Sequence, residues 1–259
     1  MMANDKVKLG ILQLSFGPDL KDNIDKVTEA VENFGDEPDI VVTPEYMMGL
    51  KDGQLERGII EENATELKSD YVEKMKELAK ENRTSILFTM YRKNRGIYNS
   101  SVFVNKNGET LGVYDKTHLF DAFDYVESDV FEKGERITVF DWRDYRIGIS
   151  VCFDLRFPEL FRIMNYQDAD LVLVPSGFYS GKHKAAQWRS LINARAHENN
   201  FFLIGVDQPK PHFVGESLIS SPLGYEVEKF GTKEETGIVE IDTREVKEAR
   251  ENIPIKQLT

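Results

Sequence analysis

Apolar positions along the chain follow two rhythms. Short runs rich in Val, Ile, Leu and Phe, the pattern of buried or half-buried strands, occupy 7–14, 39–43, 85–90, 97–104, 110–114, 137–142, 145–151, 170–174, 201–206, 216–220, 226–230 and 237–241. Between them the spacing changes to that of amphipathic helices. Ile24, Val27, Ala30, Val31 and Phe34 form one stripe over 22–34, and Leu67, Tyr71, Met75, Leu78 and Ala79 form another over 66–81. A short helix opens at Pro158, a residue suited to a first helical turn; further helices cover 184–199 and the charged segment 243–251. Asn107-Gly108 joins two strands as a hairpin, and Arg143-Asp144 joins another pair. The polar stretch 117–136 has little period and reads as a functional loop. Strands alternate with helices early and cluster later, an α/β pattern with helices outside one or two mixed sheets. Neither a repeat nor a low-complexity linker interrupts it, so 1–259 reads as a single domain.

Composition narrows the classes of function. Hydrophobic residues make up 41% of the 259 and aromatic residues 11%, enough for a packed core. A net charge of −12 argues against nucleic acid as the main partner, because phosphate binding requires clustered Lys and Arg. One cysteine, Cys152, allows no intrachain disulfide, zinc ribbon or CxxC redox pair, and points to a reducing compartment. The opening MMANDKVKLG lacks the apolar core of a secretory signal, and no apolar run reaches the ~18 residues of a membrane span. A cytoplasmic location is therefore expected, and the N-x-S/T triplets at Asn63, Asn82 and Asn99 read as chance matches.

Three residues stand just past the carboxyl ends of expected strands, where α/β proteins place ligands: Glu45, Lys116 and Cys152. A thiol, a carboxylate that accepts its proton and an ammonium that stabilises developing negative charge form a sufficient set for acyl transfer. Each also has an ordinary structural role. A lone cysteine is more often an inert buried residue, a glutamate after proline is a turn residue, and a loop lysine is solvated. Residue types and spacing leave both readings open. Other chemistries have less support. SGFYSGKH has too few residues between its glycines for a phosphate loop, and neither GxSxG, HExxH nor a strand-following GxGxxG occurs.

The segments TPEYMMGL around Glu45, YDKTHLF around Lys116 and GISVCFDLRFPEL around Cys152 resemble the three signature blocks of the nitrilase superfamily of carbon-nitrogen hydrolases. LVLVPSGF, WRSLINARAHENNFFLIGV and GESLISSPLGYEVEKFG extend the resemblance along nearly the whole chain, most similar to the small-amidase, omega-amidase-like branch. The resemblance implies a four-layer α-β-β-α sandwich of two mixed sheets, a homodimer or higher homo-oligomer, and catalysis without metal or other cofactor. It implies that Cys152 attacks an amide carbonyl after Glu45 takes its proton, with Lys116 and the backbone N–H of Phe153 holding the oxyanion. Glu127 matches the family's second glutamate, although Asp121, Asp124, Asp129 and Glu132 share its loop. Tyr46, Ser176, Gly177 and Phe178 are expected to border the substrate pocket. Arg156 either meets an anionic substrate group or braces the helix at Pro158, with Lys182 and His183 as alternatives for the anion. The expected reaction is hydrolysis of a small aliphatic amide, such as a dicarboxylic acid monoamide, to carboxylate and ammonia through a thioester. Hydrolysis of N-carbamoyl amino acids or polyamines is the alternative within enzymes. A catalytically silent binding or regulatory relative is the alternative outside them.

Overall fold

The computed structural model describes residues 5–122 and 125–258. Its strands are β1 (Lys6–Gln13), β2 (Ile40–Val42), β3 (Ser85–Lys93), β4 (Ile97–Val104), β5 (Thr110–Asp115), β6 (Asp121–Ala122), β7 (Tyr125–Val126), β8 (Thr138–Trp142), β9 (Tyr145–Ile149), β10 (Leu171–Ser176), β11 (Phe202–Asp207), β12 (Leu218–Ser220), β13 (Glu226–Lys229) and β14 (Glu235–Asp242). The helices are α1 (Leu20–Phe34), α2 (Arg57–Asn63), α3 (Asp70–Glu81), α4 (Pro158–Tyr166), α5 (Lys184–His197), α6 (Arg244–Asn252) and α7 (Ile255–Leu258). Every strand and helix expected from the pattern is present within a few residues. α1 begins where Asp19 caps it, accepting from the Asp22 N–H, and α4 begins at Pro158. The stretch 117–136 is more structured than its composition suggests: it holds the small β6–β7 hairpin and a 3-10 turn, Glu127–Asp129.

Two six-stranded sheets have the orders β14-β1-β2-β3-β4-β5 and β13-β12-β11-β10-β9-β8. Each has three parallel strands at its centre, β1, β2 and β3 in one and β9, β10 and β11 in the other, flanked by antiparallel neighbours. The period-2 alternation of each strand sorts its side chains between layers. Val7, Leu9, Ile11, Leu87 and Phe103 of the first sheet join Ile147, Ile149, Leu171 and Leu203 of the second in one core. Leu12, Ile86, Phe88, Val102 and Val104 point the other way and pack on Val27 and Val31 of α1 and on Val72, Met75 and Leu78 of α3. On the far side, Phe161 and Met164 of α4 and Trp188 and Ile192 of α5 cover the second sheet. The result is the expected α-β-β-α sandwich.

Close approach of α5 to this sheet depends on Gly205. A Cβ there would lie 2.5 Å from Ile192 Cδ1 and 3.0 Å from the Trp188 ring, whose indole N–H is already fixed by the Glu216 carbonyl. Gly205→Val is expected to lower stability by about 1–3 kcal/mol through overpacking. Urea unfolding would show a lower midpoint with an unchanged slope if packing alone is affected.

The topology brings particular chain ends together. β5 runs antiparallel to β4, and β4 to β3, so β5 ends at the same edge as β2. β9, β10 and β11 also end together. Cross-sheet hydrogen bonds join these two edges, as the Glu45 N–H donates to the Ser176 carbonyl at 3.2 Å. Glu45, Lys116, Cys152, Ser176 and Asp207 therefore come to one end of the sandwich.

Candidate active site

Lys116 is the hub of the cluster. Its Nζ lies 2.8 Å from Glu45 Oε1 and 2.8 Å from Glu127 Oε2, and all three side chains are shut off from solvent. Burial alone would push the lysine's pKa down, but the Glu127 and Glu45 carboxylates, with Cys152, outweigh it and hold the value well above the ordinary one, so Lys116 stays cationic. Burial raises Glu45, and the Glu127 charge adds to that while Lys116 opposes it. A carboxylate raised in this way is suited to taking and returning a proton near neutral pH. The Gly177 N–H donates to Glu45 Oε2 at 2.8 Å, and Gln208 Nε2 donates to the Glu45 backbone carbonyl at 2.8 Å.

Glu127 owes its position to the 3-10 turn. The Phe120 N–H donates to its Oε2 at 2.6 Å, and the side chain is buried, whereas Asp121, Asp129 and Glu132 of the same stretch are exposed. Asp124, the other acid there, lies outside the described residues.

Cys152 opens a second 3-10 turn, Cys152–Arg156, directly after β9. It is buried, and its backbone has φ +43°, a conformation uncommon outside glycine. Tyr46, beside Glu45, has φ +66°. Such conformations concentrate where surrounding contacts hold the chain in one functional geometry. Burial pushes the Cys152 thiol well up, Glu45 adds to the effect and Lys116 counters it, so the sulfur rests as a neutral thiol within the electrostatic reach of both. Asp154, fully buried, braces the turn. Its carboxylate accepts from the Val151 N–H at 2.9 Å, the Tyr114 hydroxyl at 2.7 Å and the His118 N–H at 3.1 Å, and meets His118 Nδ1 at 2.7 Å. The same carboxylate thus links the Cys152 turn to the residues on either side of Lys116. From behind, Arg195 Nε of α5 donates to the Leu155 carbonyl at 2.9 Å.

A pocket opens onto Cys152, lined by Tyr46, Phe120, Phe153, Arg156, Gly177, Phe178, Tyr179 and Lys184. Of the expected pocket residues, Tyr46, Arg156, Gly177 and Phe178 line it, as does Phe153. Ser176 does not. As the last residue of β10 it is fully buried, its Oγ turned back toward the Val174 carbonyl, and it serves the site through the carbonyl that receives the Glu45 N–H. Among the described residues Arg156 makes no ion pair at the helix start. It donates to Gln187 and lies over the Phe153 and Phe178 rings. Lys182 and His183 are exposed and outside the lining, and the lysine that reaches the pocket is Lys184, over the Phe178 ring. Burial first, then the Arg156 charge, lowers the Lys184 pKa. Sequence reading missed Lys184, Asp154 and Asp207. Asp207 accepts from the Phe178 N–H at 2.7 Å and the Gly215 N–H at 3.0 Å, and burial raises its pKa well above the usual range.

A buried thiol, a carboxylate and an ammonium gathered at one end of an α-β-β-α sandwich define a class: hydrolases that pass an acyl group through a cysteine. Comparison with known proteins gives the family. Residues 8–251 match the carbon-nitrogen hydrolase family, and the chain belongs to it. It is an enzyme acting on a non-peptide carbon–nitrogen bond with a cysteine nucleophile. It is 29% identical to the deaminated glutathione amidase of Dictyostelium discoideum, over 98% of this chain and 94% of that protein. To the omega-amidase Nit3 of Saccharomyces cerevisiae it is 26% identical over 98% and 93%. In fold it is similar to a carbon-nitrogen hydrolase superfamily protein of Xanthomonas campestris whose active site carries an arsenic adduct. The TM-score is 0.89 with 23% identity, covering 98% of this chain and 97% of that one.

Proposed function

We propose that this protein hydrolyses a small aliphatic amide bearing a carboxylate at its far end, releasing ammonia through a thioester on Cys152. The observation that carries this reading is the presence of Arg156 and Lys184 in the same pocket as Cys152. Two cations in one pocket favour an anionic guest, and burial, then the Arg156 charge, already weakens the lysine's hold on its proton. A carboxylate ligand offsets that repulsion and orients the opposite end of the molecule toward the sulfur.

In the proposed cycle Glu45 takes the thiol proton and Cys152 attacks the amide carbon. Lys116 and the Phe153 N–H stabilise the oxyanion, and protonated Glu45 gives its proton to the departing ammonia. Water activated by Glu45 then releases the acid. Glu127 holds Lys116 and is not consumed. The two named relatives, an amidase of deaminated glutathione and an omega-amidase, support an amide substrate.

Ammonia release from a panel of dicarboxylic acid monoamides, neutral amides of equal length, N-carbamoyl amino acids and nitriles tests the proposal. Turnover restricted to neutral amides or nitriles would overturn it, and carbon dioxide release from the carbamoyl compounds would move the reading to a carbamoylase. Arg156→Gln and Lys184→Gln are each expected to raise KM for the anionic amide about tenfold or more, with a smaller effect on a neutral amide.

A further inference from the structure

Asn99, on β4, is buried against the cluster, and it touches every part of the proton-handling side. Its Nδ2 donates to Glu45 Oε1 at 2.7 Å and to Glu127 Oε1 at 2.9 Å, while its backbone carbonyl accepts the Lys116 N–H at 2.9 Å. Lys116 Nζ donates to the same two carboxylate oxygens, at 2.8 and 3.1 Å. A carboxylate offers about four lone-pair directions, two on each oxygen. Oε1 of Glu45 therefore has two donors, whereas Oε2 has one among the described residues, the Gly177 N–H.

We infer that Asn99 is a positioning residue that closes Oε1 of Glu45 to protons and reserves Oε2 as the atom that takes the proton from Cys152. In that step the S–H bond breaks, an O–H bond forms at Oε2, and the electron pair left on sulfur attacks the amide carbon. The inference rests on the reading of Glu45 as the base. Support comes from the other end of the same side chain. Asn99 Oδ1 is buried without a hydrogen-bond partner among the described residues, a cost that an apolar residue of the same size would avoid. The amide is thus placed for what its NH2 group does.

The pH profile of kcat/KM separates this role from simple packing. The titratable groups around Glu45 are Lys116, Glu127, Cys152 and Asp207, with the Tyr46, Tyr91 and Tyr179 phenols. All of them remain in Asn99→Leu, which removes the Nδ2 donor that Glu45 shares with Glu127 and so a contact that favours ionised Glu45. The acid limb is expected to move to higher pH by about half a unit or more, and kcat to fall about tenfold or more with little change in KM. Activity is expressed per folded enzyme, measured by the near-UV circular dichroism of the same sample, so that loss of folded enzyme does not count. A folded Asn99→Leu with the wild-type acid limb would overturn the inference. If that variant does not fold, Asn99→Ser, too short to span both carboxylates, is measured with the same expectation and the same contrary result. Glu45→Gln is assayed in parallel. An inactive Glu45→Gln beside an unmoved Asn99 variant sinks the inference alone, whereas wild-type turnover in Glu45→Gln sinks the base reading and the inference with it.

Discussion

Replacing Cys152 with alanine is expected to abolish amide turnover while leaving the fold in place. The substitution removes one buried sulfur, for which the lost packing costs about 1 kcal/mol. Chemically the loss is far greater. Without the sulfur no thioester forms, and the remaining ammonium and N–H donors assist only the uncatalysed attack of water. A fall in kcat on the order of 10⁴-fold or more is expected, the scale seen when a nucleophile is removed from a preorganised site. Hydroxylamine added during turnover should trap the acyl group as a hydroxamate with the wild-type enzyme and yield none with Cys152→Ala. Hydroxamate formation by the variant would remove Cys152 as the nucleophile.

The second large effect is one of stability. Lys116→Met leaves Glu45 and Glu127 facing each other in a fully buried site without the ammonium that both contact. Breaking a buried ion pair by removing one partner costs about 3–5 kcal/mol, because the remaining charge is stranded. Its pH dependence follows from the direction of each shift. Lys116 is raised, so its stabilisation is fully present below the ordinary lysine value and fades only in alkali above it. Glu45 is also raised, so its ionisation costs stability as pH rises through its folded value, and removing Lys116 raises it further. The deficit of Lys116→Met is therefore expected to be large at pH 7.5 and smaller near pH 5, where Glu45 can take a proton. Urea unfolding at the two pH values checks this, and an equal deficit at both would mean that lost packing, not stranded charge, sets the cost. Activity should also fall by about 10²–10³-fold as oxyanion stabilisation is lost.

Much of the fold lay in the hydrophobic pattern, because each strand here either alternates or is a continuous buried run bounded by polar turns. Arg57–Asn63 was not legible, since only Ile60 of that short helix is buried and seven residues carry too little period. Glu45, Lys116 and Cys152 were visible as strand-end residues of complementary chemistry, and the family blocks selected the functional reading over the structural one. Glu127 was legible only through resemblance. Nothing in the local sequence separates it from the neighbouring acids; its distinction is burial, which the Phe120 N–H and the 3-10 turn create. Lys184 and Asn99 were missed for a related reason. The first sits at the start of a helix with no local motif to mark it, and the second sits in a strand, within what looks like a chance N-x-S match. Their positions near Cys152 and Glu45 arise from tertiary contacts between segments far apart in sequence.

The proposed catalytic set is split between the two sheets: Glu45 and Lys116 follow strands of the first, and Cys152 and Gly177 follow strands of the second. Side-chain packing, the Arg143–Asp39 ion pair and a set of hydrogen bonds cross that seam, among them Tyr114 to Asp154 and Gly177 to Glu45. The enzyme's rate is thus a gauge of how the sheets are seated on each other. A slip of about 1 Å along the seam would leave every strand intact and still cost on the order of 10²-fold in rate. On heating, activity should fade before the circular dichroism of the sheets does.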